Sequence, residues 1–172
     1  MPLLRRIREE VTLASAIQER CCDEGICIEL DDKTPAADAV FINVDEFYRA
    51  HLAGKRPKSP DCLVVTRCKR HGFGLYLVEL KSHRYSRHFD LTDIEAKFNA
   101  CIHDFMASRF PALFNRSFNK IKLYVLTNDP FYRKDNLCLK RLQNIKFSVG
   151  NQRAQIALRE PGYKIPACYG KE

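Results

Sequence analysis

Asp61, Glu79 and Lys81 are the residues whose types and spacing could do chemistry. Asp61 precedes a short apolar run, residues 62–66, and Glu79 and Lys81 stand at the end of a second, residues 75–80. A basic, glycine-containing segment separates the two runs, so together they read as a β-hairpin. Side chains alternate along a strand, which puts Glu79 and Lys81 on one face and Tyr76, Val78 and Leu80 on the other. A carboxylate on an otherwise apolar strand costs free energy unless something pairs it. Two partners are on offer, the neighbouring ammonium and a bound cation. Carboxylate oxygens suit Mg²⁺, which can use one or two of them together with waters and a substrate phosphate. A lysine beside such an ion has its proton affinity lowered and can help deprotonate a water. The plainer alternative keeps Glu79 and Lys81 as a structural ion pair and Asp61 as a turn residue.

The chemical reading carries a geometric condition. Asp61 shares a face with Glu79 and Lys81 only if the hairpin connection holds an odd number of residues or a bulge intervenes. A three-residue loop, His71-Gly72-Phe73, meets that condition and would pair Asp61 with His83, Leu63 with Lys81 and Val65 with Glu79. A two-residue turn at Gly72 would send Asp61 to the wrong side.

Charge is concentrated around the same stretch. Between Arg49 and Arg87 lie ten of the 29 Lys and Arg residues but only two of the 21 acids, Asp61 and Glu79. The remaining 19 bases and 19 acids cancel, so the net charge of +8 belongs to this region. Three of the five histidines, His51, His71 and His83, lie there as well, and a fourth, His88, directly follows. Such segregation suits a face for a polyanion, nucleic acid foremost. Lys55, Arg56, Lys58, Arg67, Lys69, Arg70, Arg84 and Arg87 are the candidate phosphate contacts.

The flanking elements must hold these residues. Residues 3–21 repeat apolar positions (Leu3, Leu4, Ile7, Val11, Ala14, Ile17, Cys21) at three- and four-residue spacing and predict an amphipathic helix with Glu10 in its stripe. Residues 26–30 and 39–42 predict strands, without indicating which joins the main sheet. Asn43 and Glu46 predict an N-cap and a short helix to about Leu52. Thr92 and Glu95 form a capping-box pattern for a helix with Leu91, Ile94, Phe98, Cys101, Ile102 and Phe105 inward and Lys97 and His103 facing solvent. Residues 121–126, apolar on both faces, predict a covered strand. A helix over 132–142 and strands over 145–149 and 154–158 complete the chain.

That order predicts one α/β domain of 172 residues with a mixed central sheet flanked by helices. No apolar run reaches the roughly 18 residues of a membrane span. The N-terminus lacks a signal peptide's pattern. Eight irregularly spaced cysteines read as reduced thiols of a cytoplasmic protein.

Pro60-Asp61, seventeen intervening residues and Glu79-Leu80-Lys81 resemble the signature of the PD-(D/E)XK nuclease superfamily. The resemblance covers residues 1–127 approximately, leaving 128–172 as a C-terminal elaboration. It implies a restriction-endonuclease-like core in αβββαβ order. It further implies that Asp61, Glu79 and the Leu80 carbonyl bind Mg²⁺, with Mn²⁺ able to substitute, and that Lys81 activates the attacking water. Glu10 corresponds to the acid many members carry on the first helix. The expected partner is DNA, cleaved by a homodimer, with no membrane and no iron–sulfur cluster involved. The alternative is a non-catalytic nucleic-acid-binding module built on a degenerate nuclease fold.

Overall fold

The computed structural model of the chain describes residues 2–82, 90–127, 141 and 144–169. Its central strand is the one that carries the candidate site. Strand β6 (Phe73–Lys81) is buried along nearly its whole length, with Leu75 and Leu77 facing one core and Tyr76, Val78 and Leu80 the other. Strands covered on both faces are apolar throughout; β7 (Lys120–Thr127), the covered strand that residues 121–126 predict, is its neighbour and runs parallel to it.

Five further strands complete a seven-stranded mixed sheet: β1 (Ile17–Gln18), β4 (Ala39–Ile42), β5 (Cys62–Arg67), β8 (Lys146–Val149) and β9 (Gln152–Arg159). The spatial order is β1-β4-β5-β6-β7-β9-β8. β6, β7 and β9 run parallel, and the remaining pairings are antiparallel. The final strand pair expected from the sequence is the β8–β9 hairpin.

One face of the sheet is covered by helices. These are α1 (Leu3–Glu9), α2 (Val44–His51), α3 (Leu91–Ala100) and α4 (Pro111–Phe114), whose inward residues join Leu63, Val65, Leu75 and Leu77 in the larger core. The other face carries a three-stranded sheet of β2 (Cys21–Asp23), β3 (Ile26–Leu30) and β10 (Lys164–Ile165). Cys21, Ile26, Ile28 and Ile165 pack there on Val64, Tyr76 and Val78. Residues 39–42 therefore belong to the main sheet and residues 26–30 to the smaller one.

Several local expectations hold and others need correction. Asn43 caps α2, its Oδ1 accepting from the Glu46 N–H at 2.9 Å. Helix α3 is capped ahead of Thr92, by Asp90, whose carboxylate accepts from the N–H groups of Thr92 and Asp93 at 2.9 and 3.2 Å. It runs into a π-helical segment, Cys101–Arg109, with the Phe110 N–H donating to the Phe105 carbonyl.

The first helix is much shorter than 3–21. It ends at Glu9, and the Glu10 carboxylate folds onto the Thr12 N–H and hydroxyl. β-Branched Val11 and Thr12 follow with lower helix propensity, and a side chain that bonds its own backbone competes with the helix. Val11, assigned to the inner stripe, is 84% exposed. Ala14 is exposed as well, and of the later positions Ile17 and Cys21 reach the cores from the strands β1 and β2.

The cysteines also depart from expectation. Cys22–Cys27 and Cys68–Cys168 are disulfides, while Cys21, Cys62 and Cys101 are buried thiols. Among the described residues no helix is long and apolar enough to cross a membrane. Apart from Arg141, the helix expected over 132–142 lies outside the described residues.

Candidate functional site

The hairpin register decides whether the acids meet. Cys62 pairs with Val78 and Arg67 with Phe73, leaving a five-residue connection, 68–72. The three-residue loop expected from the sequence is thus wrong by four residues in register. Val78, Leu77 and Leu75 oppose Cys62, Leu63 and Val65, and the same register carried one residue further sets Asp61 opposite Glu79. Five is odd, so the face-sharing condition holds.

The longer connection has a physical cause. Cys68 is tied by its disulfide to Cys168, the Lys69 N–H donates to the Cys168 carbonyl at 2.7 Å, and the Cys68 N–H bonds the Gly72 carbonyl at 3.0 Å. Gly72 completes the turn at φ +81°, where an added Cβ would collide with the Asn119 side chain. Gly72→Ala is expected to cost about 1–2 kcal/mol in urea unfolding, since a left-handed conformation penalises any L side chain. An unchanged midpoint would show that the turn rearranges freely.

At the other end of the hairpin four charged side chains from three elements converge. The Leu80 N–H donates to Asp61 Oδ2 at 2.6 Å. Burial, followed by the charge of Glu79, pushes the Asp61 carboxyl up to about 7, against the pull of that N–H. Glu79 is the most deeply buried of the four, its side chain 1% exposed. Its Oε1 receives the ammonium groups of Lys81 at 2.7 Å and Lys97 at 2.6 Å. Its Oε2 is buried with no hydrogen-bond partner among the described residues. For Lys97, burial works toward the neutral amine, but the charge of and hydrogen bond to Glu79 outweigh it and raise the ammonium above its ordinary value.

Above this group lies a cleft of about 350 Å³, walled by Asp61, Lys97, Lys58, Arg49, Asp23 and Asp45 among others. Lys58 is engaged with Asp93 at 2.7 Å, and Arg49 with Asp45 at 2.9 Å and Glu46 at 3.0 Å. One wall is the β2–β3 hairpin, whose tip accepts a hydrogen bond at Glu24 from the Ser82 hydroxyl just beyond β6.

The sequence-derived residues divide accordingly. Asp61, Glu79 and Lys81 come together. Leu80 contributes its N–H to Asp61, and because the N–H and C=O of an extended residue point to the same edge, its carbonyl lies on the Asp61 side. Glu10 does not join them. It borders a different depression, with Arg6, Glu9, Arg109 and Pro111, and acts as a local cap.

The cations are also less unified than their sequence positions suggest. Lys55 and Arg56 are exposed on the loop that leads to Asp61, and Lys58 reaches the cleft. Arg67, Lys69 and Arg70 sit at the turn end of the hairpin, about 20 Å away at a strand's rise per residue. There Arg67 meets Asp38 at 3.4 Å and Lys69 lies over the Tyr169 ring. Arg84 and Arg87, with His83, Tyr85 and His88, lie outside the described residues.

Lys97 and Asp23 were missed. Lys97, expected to face solvent, is half-buried against Glu79. A signal existed, since Ile94, Lys97 and Cys101 follow a helical three–four spacing beside the apolar stripe. Asp23 had none, because the predicted helix over 3–21 ends before it and no strand is predicted at 21–23.

Among the described residues no group of three or more His, Cys, Asp or Glu side chains could hold a metal ion, so any ion here would rest on the two carboxylates. No family model, no curated protein and no solved structure matches this chain.

Proposed function

We propose that the chain is a metal-dependent endonuclease that hydrolyses phosphodiester bonds in DNA on a restriction-endonuclease-like core. The observation that supports this reading most is the buried Oε2 of Glu79, unpartnered among the described residues, on the hairpin face it shares with Asp61. An orphaned carboxylate oxygen beside a carboxyl pushed up by burial and by that neighbour's charge is a donor set short of positive charge. It fits Mg²⁺, or Mn²⁺, held by Asp61 and Glu79 with the Leu80 carbonyl on the same edge. Such an ion, when bound, supplies charge stabilisation to the phosphoryl oxygens.

The chain's own residues do the rest. Leu80 fixes the Asp61 carboxylate through its N–H. Lys81, anchored on Glu79, is assigned to the attacking water. Lys55 and Arg56, exposed on the loop that leads to Asp61, are suited to holding the nucleic-acid backbone. A homodimer would let two sites address both strands of a duplex, and sedimentation analysis tests it.

A rival reading has its own observation. Asp61, Glu79, Lys81 and Lys97 are two acids and two bases, which can neutralise one another without an ion. That favours a non-catalytic nucleic-acid-binding module. Incubation with plasmid, branched DNA and RNA, with Mg²⁺, Mn²⁺ or EDTA, separates the two. Metal-dependent cleavage of DNA that Asp61→Asn lowers by about 10³-fold is the expected result, a magnitude in line with losing one preorganised electrostatic group. Binding with no metal-dependent cleavage would establish the rival, and cleavage of RNA alone would change the substrate.

Cytoplasmic residence belongs to the same proposal. Thiol labelling of the native chain checks it: reduced Cys22, Cys27, Cys68 and Cys168 agree with a reducing compartment, and intact disulfides argue against one.

A further inference from the structure

We propose that Lys97 is the residue that grips the scissile phosphate, an assignment that rests on the nuclease reading above and deepens it. Lys81 and Lys97 reach the same oxygen, Glu79 Oε1, at 2.7 and 2.6 Å, but from different elements. Lys81 arrives along β6, whereas Lys97 arrives from α3, across the face of the sheet. Lys97 forms part of the cleft wall beside Asp61, and Lys81 does not.

Anion binding in this cleft is a problem of charge. Asp61, Asp23 and Asp45 all stand in its wall and would repel a phosphodiester. Lys58 is spent on Asp93, itself near the wall, and Arg49 on Asp45 within it. Lys97 is differently placed, because its close partner, Glu79, lies beneath the wall and is 1% exposed. Asp93, the next carboxylate to Lys97, is 3.7 Å away, beyond a good hydrogen bond. An ammonium has three donors. One goes down to Glu79, which leaves donors for a ligand in the cleft.

The placement is also rigid. Lys97 lies three residues after Ile94 and one before Phe98, both fully buried, so its backbone is fixed by the core. A phosphate contact carried on a packed helix is better preorganised than one on the exposed 55–58 loop.

The test compares wild type with Lys97→Met, Lys97→Arg and Lys81→Met. Binding of a short fluorescent DNA, single-stranded and duplex, is measured in EDTA over a salt series, and cleavage with Mg²⁺ is measured on the same DNA. Lys97→Met is expected to weaken binding about tenfold and to reduce the salt slope by about one, the signature of one lost phosphate contact. Its kcat/KM falls about 100-fold, as for one electrostatic donor removed from an active site. Lys97→Arg keeps binding near wild type, and Lys81→Met leaves it unchanged.

Wild-type binding by Lys97→Met, an equal loss in Lys81→Met, or no DNA binding by the wild-type chain would each overturn the assignment. If the binding pattern holds and neither the wild type nor any variant cleaves, the nuclease reading falls and the Lys97 contact stands. If cleavage depends on Mg²⁺ and Asp61 but Lys97→Met binds and cleaves as wild type, the reverse is true. Should Lys97→Met fail to fold, the Glu79→Gln, Lys97→Met double variant removes both buried charges, and its binding is compared with Glu79→Gln alone.

Discussion

Asp61→Asn is expected to make the chain more stable at pH 8 while lowering metal-dependent cleavage by about 10³-fold. Burial and the adjacent Glu79 charge raise the Asp61 carboxyl from 3.8 to about 7 in the folded chain. A group whose pKa is raised by folding contributes stability fully below its unfolded value and loses it as pH rises through the folded value. The window here runs from about pH 4 to about pH 7. Above it, ionised Asp61 opposes folding by on the order of 2–4 kcal/mol, the upper limit following from about 1.4 kcal/mol for each tenfold change in proton affinity. Asn is neutral throughout and can still accept from the Leu80 N–H. The variant's advantage should therefore vanish near pH 4 and reach a plateau above pH 7, worth roughly 5–10 °C in melting temperature for a chain of this size.

Mg²⁺ supplies the matching experiment. A cation bound by ionised Asp61 stabilises only the folded chain, so it should raise the wild-type melting temperature at pH 8. It should do little near pH 5, where the ligand carries a proton, and nothing for Asp61→Asn. An advantage independent of pH, or a variant that still responds to Mg²⁺, would return Asp61 to the role of a turn residue.

That Glu79 and Lys81 share a face was legible in the sequence because strand alternation is a local property, whereas Asp61 joins them only through the length of the connection. Register was not, since its determinant is remote: the turn is held open by Cys168, one hundred positions away. The same limit misled the reading of the cations. Arg67, Lys69 and Arg70 are close to Asp61 along the chain, yet a straight strand carries them to the opposite end of the sheet. Glu10 failed for a different reason. Its apolar neighbours do repeat with helical spacing and most are buried, but burial was achieved by two cores on opposite faces of a sheet, which periodicity alone cannot distinguish. Lys97 shows the converse, a charged residue beside an apolar stripe that becomes half-buried once an acid beneath it provides a partner.

Glu79→Ala is expected to act in the opposite direction to Asp61→Asn, though both remove an acid from the same end of the hairpin. It strips two ammonium groups, 16% and 20% exposed, of the carboxylate that pairs them. Removing one partner of a buried pair typically costs 3–5 kcal/mol, and the access of both lysines to water places this case at about 2–3 kcal/mol. Lys97→Met added to Glu79→Ala should recover part of the loss, and the double-mutant cycle should give a coupling of about 1–3 kcal/mol. Urea unfolding of the four chains measures it. The contrast in sign is informative. If the four charges were only a structural cluster, each removal would weaken the fold, Asp61 included. A fold that is better off without Asp61 and worse off without Glu79 holds one carboxylate in place against its own stability, and a bound cation is what would make that acid favourable. A destabilising Asp61→Asn beside a destabilising Glu79→Ala would remove that argument and leave the ion-pair network as the sufficient account.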